Sequence, residues 1–377
     1  MMEQKNVTIL CSGFGLGFYI IGLLLDRRFK QKGISSEVCV FESLMTDDKI
    51  EKVKSSRKVY HRNFSAALMS TRMLLDTRQS LDEKAVDDLL ESWKQEGRTN
   101  FIVLSGHWMH IIQKYREIAF ERVNVDIIYT DSDLAPSWKS VKTLYEEYNR
   151  DCDEIWLFDS NNRSVEYQIP VSDSGYIPFS RRNGRYVIHG GGWGMGTYRE
   201  RIRELEEAGI PLDIIGYEPE EAADRREGNR YFVNDPSWTA WNRNKSNVYE
   251  FPPLAEVKDT GELEYRNNFE YHVMFDLIRE AKAIISKTGG GSLVDSLASA
   301  TPIIMLEPFG EHEQKNAELW EYLGFGIPYG KWKESGFSGA ILEDMHRNLL
   351  KKRKECRDYT DYYAERYSLE REQEWTG

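Results

Sequence analysis

The sequence predicts an α/β protein of two Rossmann-like halves, each with a parallel sheet, and two stretches with one shared grammar carry that prediction. Near the start, NVTILCS reads as a strand, GFGLG as a glycine turn, FYIIGLLLDRRFKQKG as a helix closed by Gly33, and SEVCVFES as a second strand. Near the middle, GRYVIHG, GGWGMG, TYRERIRELEEAG and PLDIIGYEP repeat that order, with Gly209 closing the helix. A β-turn-α-β unit needs a parallel sheet and a right-handed crossover. Two such starts imply two halves.

Length and composition agree. A chain of 377 residues is long enough for two domains, and 40% apolar residues with ten Trp fill ordinary cores. A net charge of −12 argues against a nucleic-acid partner, whose footprint would be basic. Cys11, Cys39, Cys152 and Cys356 are scattered, with no metal-type spacing. That pattern fits reduced thiols in a cytoplasmic protein and no structural zinc. FGLGFYIIGLLL is interrupted by glycines and lacks a cleavage site, so it reads as a buried turn and helix, not a signal peptide. No run reaches the ~18 apolar residues of a membrane span. The basic run RRFKQKG reads as a solvated helix end in preference to a membrane contact.

The first half continues through a helical SLDEKAVDDLLESWKQEG to the strand NFIVLSG, followed by His107, Trp108 and His110. Next come a helix, the strand VDIIYT, the loop DSDLAPSW and the strand DEIWLFDS. Residues 161–183, polar and holding Pro170 and Pro178, read as the linker. Residues 218–247 read as an irregular insertion. The tail from AILEDMH onward is expected to form one or two helices packed partly across both halves, with the basic run 351–354 on a solvated face. The expected domains are 1–180, 181–340 and a terminal 341–377.

The most informative stretch is IISKTGGGSLVDSLASATPIIMLEPFGEHEQKNAELWEYLGFG, residues 284–326. An apolar strand ends in a glycine turn that opens a helix, whose first-turn N–H groups and macrodipole suit a phosphate. The alternative is a glycine turn that only permits tight packing. The helix stops before Thr301-Pro302, and a second strand leads into the polar loop GEHEQKNAE.

Two Rossmann-like halves with a glycine turn after the first strand of each, together with SKTGGG, the following acid, TP and GEHEQKNA, resemble the GT-B glycosyltransferases. Within them the sequence is most similar to the branch holding the peptidoglycan GlcNAc transferase and the diacylglycerol glucosyltransferases, a family-28-like likeness that spans residues 248–326. The resemblance implies parallel sheets facing a central cleft, a nucleoside-diphosphate sugar as donor, UDP favoured, and a small-molecule or lipid-like acceptor. It places the donor diphosphate on Thr288, Gly289, Gly290, Gly291 and Ser292, and the ribose on Asp295. It places the hexose on Glu313 and Gln314, followed by Asn316-Ala317, with His312 beside them either touching the donor or capping its helix. The loop HGGGWGMG occupies the place that cradles the diphosphate from the other side, with Gly191, Gly192 and Gly194 as backbone donors. Gly13 and Gly15 of the first turn join the expected donor set.

Backbone donors and helix N-termini stabilise a leaving diphosphate electrostatically, so no metal and no cofactor is expected. EPFG at 307–310 resembles a retaining signature, but position 315 is Lys where that signature needs an acid, so inversion is favoured. An inverting enzyme needs a general base at the acceptor hydroxyl. The resembled branch carries His at the end of its first turn, where this chain has Phe18. His107 is the substitute expected, at a carboxyl-end loop facing the cleft. Asp131 and Asp133 occupy the next such loop and could act as base or orient His107. The competing readings are a nucleotide-sugar 2-epimerase, a non-catalytic nucleotide-sugar-binding protein and, less well supported, a dinucleotide dehydrogenase with Glu42 as its acid.

Overall fold

The computed structural model describes residues 6–71, 76–223, 225–258 and 263–366. Five strands, β1 (Val7–Cys11), β2 (Ser36–Val40), β3 (Asn100–Val103), β4 (Asn124–Tyr129) and β5 (Asp153–Trp156), form a parallel sheet in the order β2-β1-β3-β4-β5. All five residues of β1 are buried, as a strand covered on both faces requires. Helices α1 (Leu16–Gln31), α2 (Asp47–Arg62), α3 (Phe64–Ser70), α4 (Glu83–Gln95), α5 (Met109–Ile118) and α6 (Pro136–Leu144) accompany this sheet. α4 shows how local chemistry fixes an element. Asp82 caps it by accepting from the N–H groups of Lys84 and Ala85 at 3.0 and 3.2 Å, and Val86, Leu90 and Trp93 form its buried stripe.

A short strand, β6 (Tyr167–Gln168), lies between the two sheets in sequence. The second sheet contains β7 (Tyr186–His189), β8 (Leu212–Gly216), β9 (Arg230–Asn234), β10 (Leu254–Glu256), β11 (Ala283–Ser286), β12 (Ile303–Met305) and β13 (Gly326–Pro328). Its order is β10-β9-β8-β7-β11-β12-β13, parallel except for the antiparallel edge pair β9 and β10. Helices α7 (Tyr198–Glu207), α8 (Met274–Glu280), α9 (Gly290–Ser299), α10 (Glu311–Tyr322), α11 (Tyr329–Glu334) and α12 (Gly339–Glu355) complete this half. The expectation of two parallel Rossmann-like sheets is met.

Two local expectations change. Residues 218–247 are not wholly irregular, because β9 lies inside them with Tyr231, Phe232 and Val233 buried. Charged and polar neighbours on both sides masked that short apolar triplet. The loop after β4 runs directly into α6, which Pro136 starts at its first position. In the tail, α12 packs on α9, and the His346 ring meets the Ala300 carbonyl at 2.7 Å. Residues 359–366 are helical and pack on the first half, where Tyr359 donates to Asp126 at 2.8 Å and Arg366 pairs with the same carboxylate. The part of the expected tail helices beyond 366 lies outside the described residues. Among the described residues no helix is long and apolar enough to cross a membrane.

Candidate functional site

Open α/β sheets bind ligands at the carboxyl ends of the strands where the strand order reverses. In the first sheet that point lies between β1 and β3, and in the second between β7 and β11. Ser12, His107, His189 and Lys287 lie at or shortly after these four strand ends, and all four line one cavity of about 330 Å³. Both switch points open into a single space between the halves. Phe14, Phe18, Tyr60 and Trp193 supply much of its apolar wall. Phe14 and Trp193 are 4.5 Å apart and Tyr60 stacks on Trp193 at 6.0 Å, so the wall draws on both halves.

The turn after β11 is open to a ligand. Among the described residues, the N–H groups of Gly290, Gly291 and Ser292, the first turn of α9, have no protein acceptor. The same glycines also permit close packing. A Cβ on Gly290 would lie 2.4 Å from the Thr130 carbonyl oxygen, and one on Gly291 would lie 3.3 Å from the Gly17 Cα. Both reasons for glycine therefore hold at this turn. Thr288 is buried and donates to the Glu313 carbonyl at 2.7 Å, so its hydroxyl braces the turn. Gly289 precedes the helix, with the Glu313 carboxylate close by. Lys287, which the sequence reading passed over, holds its ammonium 2.6 Å from Glu313 Oε1 at the cavity edge. A cation one residue before a glycine turn was the signal that could have found it.

Asp295 lies one turn inside α9, buried and lining the cavity, with Oδ1 2.9 Å from His272 Nε2. His272 was also missed. It lies just ahead of α8, far in sequence from the acid it holds.

On α10 the structure shifts the expected pair by one residue. His312, Glu313 and Asn316 share the buried face, and the first two line the cavity. Gln314 is exposed and donates to Glu318 at 3.2 Å, so it is not brought to the cavity. The physical reason is helical geometry. Asn316 fixes the inward face, and positions three and four residues earlier share it while position 314 does not. Asn316 Oδ1 accepts from the Ser132 N–H, and its Nδ2 donates to Asp131 Oδ1 and the Thr288 carbonyl, each at 2.7 Å. This amide thus joins the two halves behind the cavity-lining Asp131.

His107 lines the cavity with Nδ1 3.3 Å from Thr77 Oγ1 and its ring 5.2 Å from that of Phe41. Loss of solvation, then the nearby His110, push its pKa down to about 4. Asp131 is buried in the same cavity, and burial raises its pKa while the nearby His312 and the Asn316 hydrogen bond oppose the rise. The hydrogen bonds of Asp131 run to Asn316 and Thr130, so it is Thr77 that orients His107. Asp133 points elsewhere. It pairs with Lys139 at 3.6 Å and does not line the cavity.

The loop 189–196 explains most of its glycines by packing. The Gly191 N–H donates to His189 Nδ1 and the Gly194 N–H to the Gly191 carbonyl, both at 3.0 Å. Gly192 would place a Cβ 2.4 Å from Leu16, and Gly194, at φ +58°, one 2.7 Å from the His61 ring. Of the three expected donors, only Gly192 keeps its N–H without a protein acceptor among the described residues. In the first turn, Gly15 lines the cavity, but Gly13 does not face it. Its N–H donates to Glu42 Oε2 at 2.7 Å, and Glu42 Oε1 accepts from Ser12 Oγ and the Phe14 N–H at 2.7 and 2.8 Å. A carboxylate of the chain itself fills the turn where a dinucleotide would place its pyrophosphate. Glu42 therefore cannot serve a dehydrogenase as its ribose acid.

Comparison with solved structures agrees with this architecture. The chain aligns with the glycosyltransferase SnogD from Streptomyces nogalater over 97% of its length and 99% of that chain, at 12% identity and a TM-score of 0.54. The spinosyn rhamnosyltransferase SpnG aligns over 93% of this chain and 95% of its own, at 11% identity and a TM-score of 0.53. The spinosyn forosaminyltransferase SpnP does so over 97% and 99%, at 12% identity and a TM-score of 0.52. No family model and no curated protein matches the sequence. The fold is GT-B, two Rossmann-like units about a cleft.

Proposed function

We propose that the protein is a glycosyltransferase that moves a hexose from a nucleoside-diphosphate sugar to the hydroxyl of an apolar small-molecule or lipid-like acceptor. The observation that carries this reading is the unfilled first turn of α9 beside the Lys287 ammonium, opening into a cavity whose far wall is aromatic. The diphosphate rests on the Gly290, Gly291 and Ser292 N–H groups and Lys287, and Asp295 takes the ribose. Glu313 and His312 face the hexose. The domain limits 1–180, 181–340 and 341–377 remain the working division, with donor contacts in the second unit.

In the reaction the acceptor oxygen attacks the anomeric carbon, the bond from that carbon to the diphosphate oxygen breaks, and the acceptor proton passes to a base. Attack from the face opposite the leaving group inverts the centre. Charge growing on the leaving diphosphate is met by fixed N–H dipoles and the lysine, an arrangement already oriented before the reaction. Asp131 is the base we favour. It lies where the halves meet, Asn316 fixes one of its oxygens, and burial moves its pKa up toward working pH, whereas His107 is moved down. UDP and TDP sugars are the donors to try first.

The test is product formation from a panel of UDP- and TDP-hexoses with hydroxylated aromatic and amphiphilic acceptors. Transfer is expected; interconversion of donors without transfer would mark an epimerase, and neither would sink the catalytic reading. Asp131→Asn should lower kcat by about 10²–10⁴-fold, the usual worth of a positioned base, with donor affinity retained. Because Asp131 titrates above the ordinary carboxylate pKa of about 3.9, activity should fall with falling pH above that value. His107→Ala should leave that acid limb in place, and a limb that vanishes with His107 would reassign the base.

A further inference from the structure

His189 closes β7 at the inner switch point, is 3% exposed and lines the cavity. Its Nδ1 accepts from the Gly191 backbone N–H at 3.0 Å. A backbone N–H can only donate, so Nδ1 must present its lone pair, and the ring proton of the neutral imidazole must sit on Nε2. The Ser286 hydroxyl, 3.4 Å from the same Nδ1, is compatible with that tautomer. Yet Nε2 is buried and has no hydrogen-bond partner. A buried N–H donor without an acceptor is costly, and native structures rarely keep one without a use.

The surroundings say what would satisfy it. Lys287 and the open first turn of α9 line the same cavity. The lysine is paired with Glu313, and the carboxylates of Asp131, Asp295 and Glu313 that also line it each have a hydrogen-bond partner, so the groups left open there are the N–H donors of the turn. Such a cluster fits an anion. We infer that His189 Nε2–H is a donor-binding group that hydrogen-bonds a phosphate oxygen of the nucleoside diphosphate as the neutral imidazole. The role rests on the donor site proposed above and adds to it a side chain where backbone donors alone were expected. Loss of solvation, with Lys287 and His272 nearby, depresses the pKa of His189 to about 3, which keeps the ring uncharged at neutral pH. Neutrality matters for turnover, since a second fixed cation beside Lys287 would slow release of the diphosphate product.

Calorimetric titration of UDP, TDP and uridine into wild type, His189→Leu and His189→Gln tests the inference. A hydrogen bond to a charged group predicts that His189→Leu weakens both diphosphates by about 10–100-fold while uridine changes little. Gln, whose amide can place an N–H near the former Nε2, should recover most of the loss. Unchanged diphosphate affinity in His189→Leu, or equal loss of uridine, would overturn the role. Should the leucine variant fail to fold, wild-type protein labelled with ¹⁵N-histidine decides. The Nε2–H resonance, assigned by its absence in His189→Gln, must shift and gain exchange protection on adding UDP, and an unmoved resonance would overturn the role. A wild type that binds neither diphosphate refutes the donor site itself, an outcome distinct from any difference among variants.

Discussion

The chain writes a strand, a glycine turn and a helix at residues 7–31 and again at 283–299, and the two turns have opposite fates. After β1, Glu42 reaches over from the end of β2 and takes hydrogen bonds from Ser12, Gly13 and Phe14. After β11 no such carboxylate arrives, and the N–H groups of Gly290, Gly291 and Ser292 keep no protein acceptor. The glycines alone do not distinguish a ligand site from a closed turn. What distinguishes them is whether another part of the chain supplies the anion. Burial raises the Glu42 pKa against these hydrogen bonds, so holding a carboxylate there has a cost that the three donors offset.

Removing the internal anion should have the largest effect. Glu42→Ala leaves buried donors unpaired, and at roughly 1–3 kcal/mol for each such group the loss in urea unfolding should be about 3 kcal/mol or more. Nucleotide affinity of the folded fraction should stay near wild type, and a loss there would mean that the first turn holds donor after all. Next in size is Lys287→Ala, expected to weaken UDP or TDP by about 10-fold, as loss of a partly buried charge contact implies. If UDP and TDP affinity in that variant matched wild type, the two turns would not differ in the way proposed.

Much of this was legible in advance because glycine turns, apolar strands and helix ends are local signals. The GT-B likeness, both parallel sheets and the cavity positions of His107, Asp131, Gly289–Ser292 and Asp295 follow from such signals. Lys287 stands beside its own turn, but the other misses share a cause in that each depends on a contact distant in sequence. Glu42 fills a turn 29 residues earlier, His272 meets Asp295 across 23, and Asn316 reaches Asp131 across 185. Gly192 and Gly194 looked like ligand glycines but are also required by Leu16 and His61 of the other half. Composition can state that a backbone comes close to something. Only the fold says to what.

The smallest predicted effect tests the finest distinction, one residue of register on α10. The acid-amide pair read from sequence was Glu313-Gln314, whereas the helix turns His312 and Glu313 inward and leaves Gln314 bonded to Glu318 in solvent. Gln314→Ala should therefore change kcat/KM less than about twofold, since an exposed i,i+4 pair contributes only a few tenths of a kcal/mol. Glu313→Gln is the companion. Its carboxylate accepts from Lys287 Nζ at 2.6 Å and the Phe309 N–H at 2.7 Å, so the amide would release the lysine as well as alter the hexose contact. Kinetics with a varied donor sugar separate the two positions, because only a residue that touches the hexose should change the preference among sugars on one nucleotide. A shift in that preference from Gln314→Ala as well as from Glu313→Gln would restore the register read from sequence and turn α10 by about 100°.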